Sequence, residues 1–173
     1  PRSPDQPQQS DPLALDLDGN GLQTTSIEQG VRFDINADGH LDRTSFISGG
    51  DAFVSLDRNG NGVIDDGREL FGDQNGHANG FEALAAHDDN GDGRIDSNDA
   101  VYDQLSLLQL NRDGSQQLTG LRDAGVAAID LGYQQVQTAI NRYDSIAQSG
   151  SFTRTDGSEG EAGDLLLGYR DSA

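Results

Sequence analysis

The apolar positions of this chain fall in short runs set apart by loops of Asp, Asn and Gly. LALDL (13–17), VRFDI (31–35) and AFVSL (52–56) have the length and residue types of strands. GFEALAAH (80–87) and NDAVYDQLSLLQL (98–110) carry apolar residues at helical spacing, with Asn98 or Asp99 placed to cap the second. Beyond residue 125 the pattern becomes strand-like again in VAAIDLGY (126–133) and SIAQSGSFTRTDG (145–157), while EAGDLLLGY (161–169) suits a short helix or a strand. The pattern predicts an α+β fold: a small domain of short helices and short antiparallel strands joined by acidic loops, whose ligand spacing, set out below, makes them EF-hand-like and the domain calcium-stabilised.

All four prolines lie in PRSPDQPQQSDP, the first twelve residues, which is a linker composition. Residues 1–11 are therefore read as a Pro-rich linker and 12–173 as the folded module. The chain's single Asp-Pro dipeptide, Asp11-Pro12, stands at their junction, four residues ahead of an acidic loop.

The loops carry the chemistry. An EF-hand loop offers oxygens at positions 1, 3, 5, 7 (a backbone carbonyl), 9 and 12, with Gly at 6 for the sharp turn. DDNGDGRIDSND fits throughout: Asp88, Asn90, Asp92, the Arg94 carbonyl, Asp96 and Asp99, with Gly93 at position 6. DRNGNGVIDDGREL supplies Asp57, Asn59, Asn61, the Val63 carbonyl and Asp65. Arg68 then stands at position 12, so Glu69 completes the set only if Gly67 lets the loop run one residue longer. Two further loops are open half-cages that need ligands from elsewhere. One is Asp16, Asp18, Asn20 and the Leu22 carbonyl; the other is Asp34, Asn36, Asp38, the His40 carbonyl and Asp42, with Ser45 at position 12. QLNRDGSQQLTG (109–120) lacks acids at both ends and reads as a structural turn.

Composition strengthens the metal reading. The chain has 30 acidic and 11 basic residues, a formal charge of -19, and only 33% hydrophobic residues. Such a chain repels itself and has little apolar surface to offset its ordering entropy, so a cation is the missing partner. Flexible, carboxylate-rich loops favour calcium over magnesium, which demands stricter octahedral geometry. His40, His77 and His87 share no zinc-motif spacing, and there is no Cys for thiolate sites or disulfides. The absence of a basic face argues against nucleic-acid and anionic-membrane partners. No apolar run approaches the ~20 residues of a membrane span. No signal peptide opens the chain, and Pro1 reads as the start of an excised piece.

DPLALDLDGNG, DRNGNGVIDDGRELFGD, FEALAAHDDNGDGRIDSNDAVYDQL and SIAQSGSFTRTDGSEGEAGDLLL, in that order, resemble the self-processing module of Frp-type RTX proteins, running from Asp11 to about Leu167. The resemblance implies a monomeric module within a large bacterial protein exported by type I secretion. It implies that calcium folds the module outside the cell and that the folded module cleaves the Asp-Pro bond at its own N-terminus. Here that bond is Asp11-Pro12, with Asp11 as its own nucleophile. The new Asp terminus can then be captured by a lysine amine. All eleven basic residues are Arg, so that amine would have to come from an external lysine-bearing protein. The competing expectation is a non-catalytic calcium-binding spacer of an adhesin, or a dockerin-like interaction module. The 31-residue offset between Asp57 and Asp88 suits the paired loop-helix units of the latter.

Overall fold

The computed structural model describes residues 8–10, 12–19, 21–25, 31–35, 39, 42–47, 51–57, 60, 62–64, 66, 69–71, 79–89, 91–110, 115–140 and 144–171. Its strands are β1 (Gln8–Ser10), β2 (Leu13–Leu15), β3 (Val31–Phe33), β4 (Asp42–Thr44), β5 (Ala52–Leu56), β6 (Arg94–Asp96), β7 (Leu105–Leu110), β8 (Gln116–Gly120), β9 (Val126–Asp130), β10 (Gln134–Ala139), β11 (Ser145–Arg154) and β12 (Glu159–Asp171). One α-helix, α1 (Gly80–Ala85), and a 3-10 turn (Ala100–Asp103) complete the described elements.

The strands join into one curled antiparallel sheet whose main path runs β6-β9-β11-β12-β2-β5-β7-β8. β12 is its hub. β11 lies along one edge, followed further on by β4, and β1 and β2 share the other edge. Gln8–Ser10, within the stretch read as linker, pair with Tyr169, Gly168 and Leu167.

This architecture overturns the expected α+β class. The described fold is mostly β, and α1 spans only six residues. The clearest misreading is NDAVYDQLSLLQL, which forms a 3-10 turn and then β7 rather than a helix. Leu105 and Leu107 enter one apolar core and Leu108 enters the other, so this strand is buried from both sides. A run buried on both faces loses the period-2 alternation that would identify it as a strand.

The same two-sided burial explains β2 and β5, in which every residue is buried. Leu13, Leu15, Ala52 and Val54 face the core under α1. Ala14 and Phe53 face the other, where Phe46 packs edge-on between Phe33 and Phe53, its centroid 5.8 and 4.6 Å from theirs. Edge-to-face pairs of this kind contribute about 0.5–1.5 kcal/mol beyond the area they bury. Helix α1 is capped by Asn79, whose Oδ1 accepts the Glu82 N–H at 3.0 Å, and it buries Phe81 and Leu84. The buried Asp144 carboxylate accepts from Thr24 Oγ1 and Ser45 Oγ, tying two distant loops to the start of β11.

Helix and sheet meet at Gly80. A Cβ there would stand 2.7 Å from Asp164 Oδ1, 2.7 Å from Leu13 Cβ and 2.8 Å from the Phe71 carbonyl oxygen. The backbone oxygen cannot swing away, so Gly80→Ala should destabilise the fold by about 1–3 kcal/mol, the usual range for overpacking. Urea denaturation at fixed calcium measures this, and an unchanged midpoint would show that α1 can lift from the sheet without loss.

Candidate functional site

The four acidic loops share one turn. In each, the carboxylate at position 1 accepts the N–H of the glycine at position 6: Asp16 from Gly21 at 2.7 Å, Asp34 from Gly39 at 2.9 Å, Asp57 from Gly62 at 2.6 Å and Asp88 from Gly93 at 3.0 Å. These glycines have φ of +95, +89, +84 and +84°, a left-handed conformation that side-chained residues rarely adopt. The local turn read from the Asp and Gly spacing is thus present. Among the described residues the paired long helices of an EF-hand are not: Asp57 follows β5, and the loop from Asp88 to Asp99 lies between the six-residue α1 and the 3-10 turn Ala100–Asp103, with β6 inside it paired to β9.

Two of the loops bring three carboxylates together, with ligand oxygens all within 4.8 Å of one another. The first group is Asp16, Asp18 and Asp51. Asp51 was not among the residues singled out from sequence. The antiparallel pairs Ala14↔Phe53 and Leu15↔Ala52 make Asp16 and Asp51 meet at the next position of the same pair of strands. Asp51 is 1% exposed; its Oδ2 accepts the Gln23 N–H at 3.3 Å, and its Oδ1 is buried with no hydrogen-bond partner among the described residues. Burial first, and then the neighbouring Asp16 and Asp18 carboxylates, raise its pKa from 3.8 to about 8. The carbonyls of Asp16 and Leu17 are held from outside by Arg154 Nη2, at 3.2 and 3.4 Å.

The second group is Asp88, Asp92 and Asp99. Asp99 is buried and accepts the N–H groups of Asp89 and Asp96 at 2.9 and 3.0 Å, closing the loop on itself. Asp88 Oδ1 is buried and lacks a hydrogen-bond partner among the described residues. Asp96 does not join this group; it accepts from the Asn98 N–H and lies 3.8 Å from Arg94 Nε. The donor sets of both groups are wholly oxygen, which suits a hard cation such as calcium, and each contains a buried oxygen that a cation would satisfy.

The other two loops supply no group of three among the described residues. Asp34 and Asp66 form a parallel bridge that joins these loops, and Glu69 is 5% exposed. Ser45, at position 12 of the second loop, is turned to Asp144 instead. Val63 is 43% exposed, Leu22 is buried in the core, and Asp42 lies in β4. Asn20, Asn36, Asp38, His40, Asn59, Asn61, Asp65 and Asn90 lie outside the described residues, as does Asp11.

Pro12 is buried, and its carbonyl accepts the Leu165 N–H at 2.9 Å. The next residue, Leu13, donates its N–H to the Phe71 carbonyl at 2.8 Å and lies opposite Asp164, a carboxyl group with no solvent exposure. The C-terminal side of the Asp-Pro dipeptide is therefore fixed on both of its edges, and Asp16 of the first carboxylate group follows on the same strand path.

The SPM domain model matches residues 13–168. The chain is also 41% identical to the iron-regulated protein FrpA of Neisseria meningitidis serogroup C, in an alignment covering 91% of this chain and 15% of that protein. It thus spans a small part of the length of that relative. Among the described residues no helix is long and apolar enough to cross a membrane. The chain belongs to the SPM domain family and is a relative of the Frp-type proteins.

Proposed function

We propose that this chain is a calcium-folded module of a larger secreted or cell-surface protein, and that it cleaves its own Asp11-Pro12 bond. The observation that supports the reading is the pairing of Gln8–Ser10 and of Pro12–Leu15, the described residues around that bond, with β12. Residues on both sides of the bond are held by the same strand, which also receives Asp16 of the Asp16, Asp18 and Asp51 group.

Asp16, Asp18 and Asp51 would hold one calcium, and Asp88, Asp92 and Asp99 a second. Bound calcium would supply positive charge that lets these carboxylates stay together ionised. The chain's own residues do the chemistry. A carboxylate oxygen of Asp11 attacks the carbonyl carbon of the same residue and forms a five-membered anhydride. The C–N bond to Pro12 breaks, its electron pair stays on nitrogen, and that nitrogen takes a proton from the solvent. Water then opens the anhydride, or an amine on an external lysine opens it to give an amide. Rigid anchoring raises the rate because the nucleophile and the carbonyl belong to one residue and need only be held in attack geometry.

Without calcium, 30 acidic residues against 11 basic ones should leave the chain expanded, and about millimolar calcium should fold it. Circular dichroism with chelator and with calcium checks this; coincident spectra would end the calcium-folding reading. Intact-mass measurement after calcium addition should show loss of residues 1–11, and Asp11→Asn should abolish that loss. A mass unchanged over days would favour a non-catalytic spacer.

Asp51 sets the pH response. Its folded-state pKa lies above its unfolded value, so the folded chain holds a proton that the unfolded chain gives up between those values. That contribution is complete below the unfolded value of 3.8 and is lost as pH rises through about 8. In the metal-free chain, residual structure seen by circular dichroism should therefore be greatest at acid pH and fall as pH rises, and Asp51→Asn should flatten that fall. The same variant should weaken calcium binding by about tenfold or more, measured by calorimetry, because it removes a charged ligand.

A further inference from the structure

We infer that β12 is a splint for the cleavage junction: it docks the upstream segment Gln8–Ser10 for the reaction and keeps it docked after the bond breaks. The inference rests on the self-cleavage reading for its reaction, while the docking stands on geometry alone.

The register carries it. Upstream of the junction, Gln8, Gln9 and Ser10 pair with Tyr169, Gly168 and Leu167. Downstream, Leu13, Ala14 and Leu15 pair with Asp164, Gly163 and Ala162. The two residue numbers of every pair add to 177, so the two runs share one register on β12. Two hydrogen bonds fix the phase: Leu165 N–H to the Pro12 carbonyl and Asp16 N–H to the Glu161 carbonyl, both 2.9 Å. Antiparallel ladders alternate between residues that face the partner strand and residues that face away. The even-numbered residues here face β12, and Leu13 faces away toward Phe71. Gln8 and Ser10 therefore turn their backbone groups to β12, and Gln9 turns its groups outward.

Pro12 occupies a facing position. Leu165 directs its N–H and its C=O to the same partner, but the Pro12 nitrogen carries no hydrogen, so this pair makes one bond where a regular pair makes two. Cleavage changes that. Once the bond to the Asp11 carbonyl carbon breaks and the nitrogen takes a proton, Pro12 becomes a secondary amine whose N–H is aimed at the Leu165 carbonyl. The product completes a pair that the substrate cannot. The upstream fragment, still on β12, keeps its acyl end beside the module, where an arriving amine meets it at high effective concentration.

The test uses the full chain with calcium at about millimolar. Gln8→Pro and Ser10→Pro each remove a donor that faces β12; Gln9→Pro removes one that faces away. The first two should slow the appearance of the cleaved product by about tenfold or more, and Gln9→Pro by less than about threefold. Gln8→Pro is the decisive variant, since Ser10 adjoins the reacting residue. Equal slowing by Gln8→Pro and Gln9→Pro would overturn the splint. A second readout does not need cleavage: in the uncut Asp11→Asn chain, amide exchange at Gln8 and Ser10 should be slower than at Gln9. Equal exchange at all three would overturn the docking. Protected amides in the Asp11→Asn chain together with an unaltered chain that never cleaves would retain the docking and remove the self-cleavage reading.

Discussion

The antiparallel ladder along β12 is the constraint on which the rest of the fold depends. Its thirteen residues pair with β1, β2, β4 and β11, so four separate parts of the sequence take their positions from one strand. The ladder aligns β2, β2 aligns β5, and that second alignment carries Asp51 to Asp16. A group of carboxylates from distant loops is thus a by-product of strand register. The same register sets Gln8–Ser10 and Pro12.

Two forces oppose each other in this arrangement. Apolar burial on both faces of β2 and β5 draws the strands together. The carboxylates at their ends resist it, and Asp51 records the conflict in its raised pKa. A proton relieves the repulsion for one group, whereas a divalent cation relieves it for all three while leaving them charged. Calcium and the sheet therefore support one another in the proposed mechanism: the sheet gathers the ligands, and the ion removes the cost of gathering them.

What the sequence made legible was local. Asp at position 1 and Gly at position 6 specify a turn through nearest-neighbour geometry, and all four such turns are present. β2, β3, β5, β9 and β11 fall within the runs assigned to strands, and α1 within the helical run at 80–87. Non-local pairing was hidden. Asp51 looks like any loop Asp until Ala52 is known to lie opposite Leu15. β7 reads as a helix because leucines bound for two opposite cores fill both faces of a strand. EAGDLLLGY gave no sign that it belonged to the hub, since a strand's place in a sheet depends on its partners.

The position of β12 in the chain also sets an order of events. It is the last of the described strands, yet β2, near the start, pairs with it, and Arg154 reaches the Asp16 and Leu17 carbonyls from the hairpin that leads into it. On the ribosome, which makes the N-terminus first, Pro12 therefore appears long before the strand that holds it. Contacts of such large sequence separation form late. Such pairing acts as a built-in delay: Pro12 and Leu13 are seated against β12 only once β12 has been made.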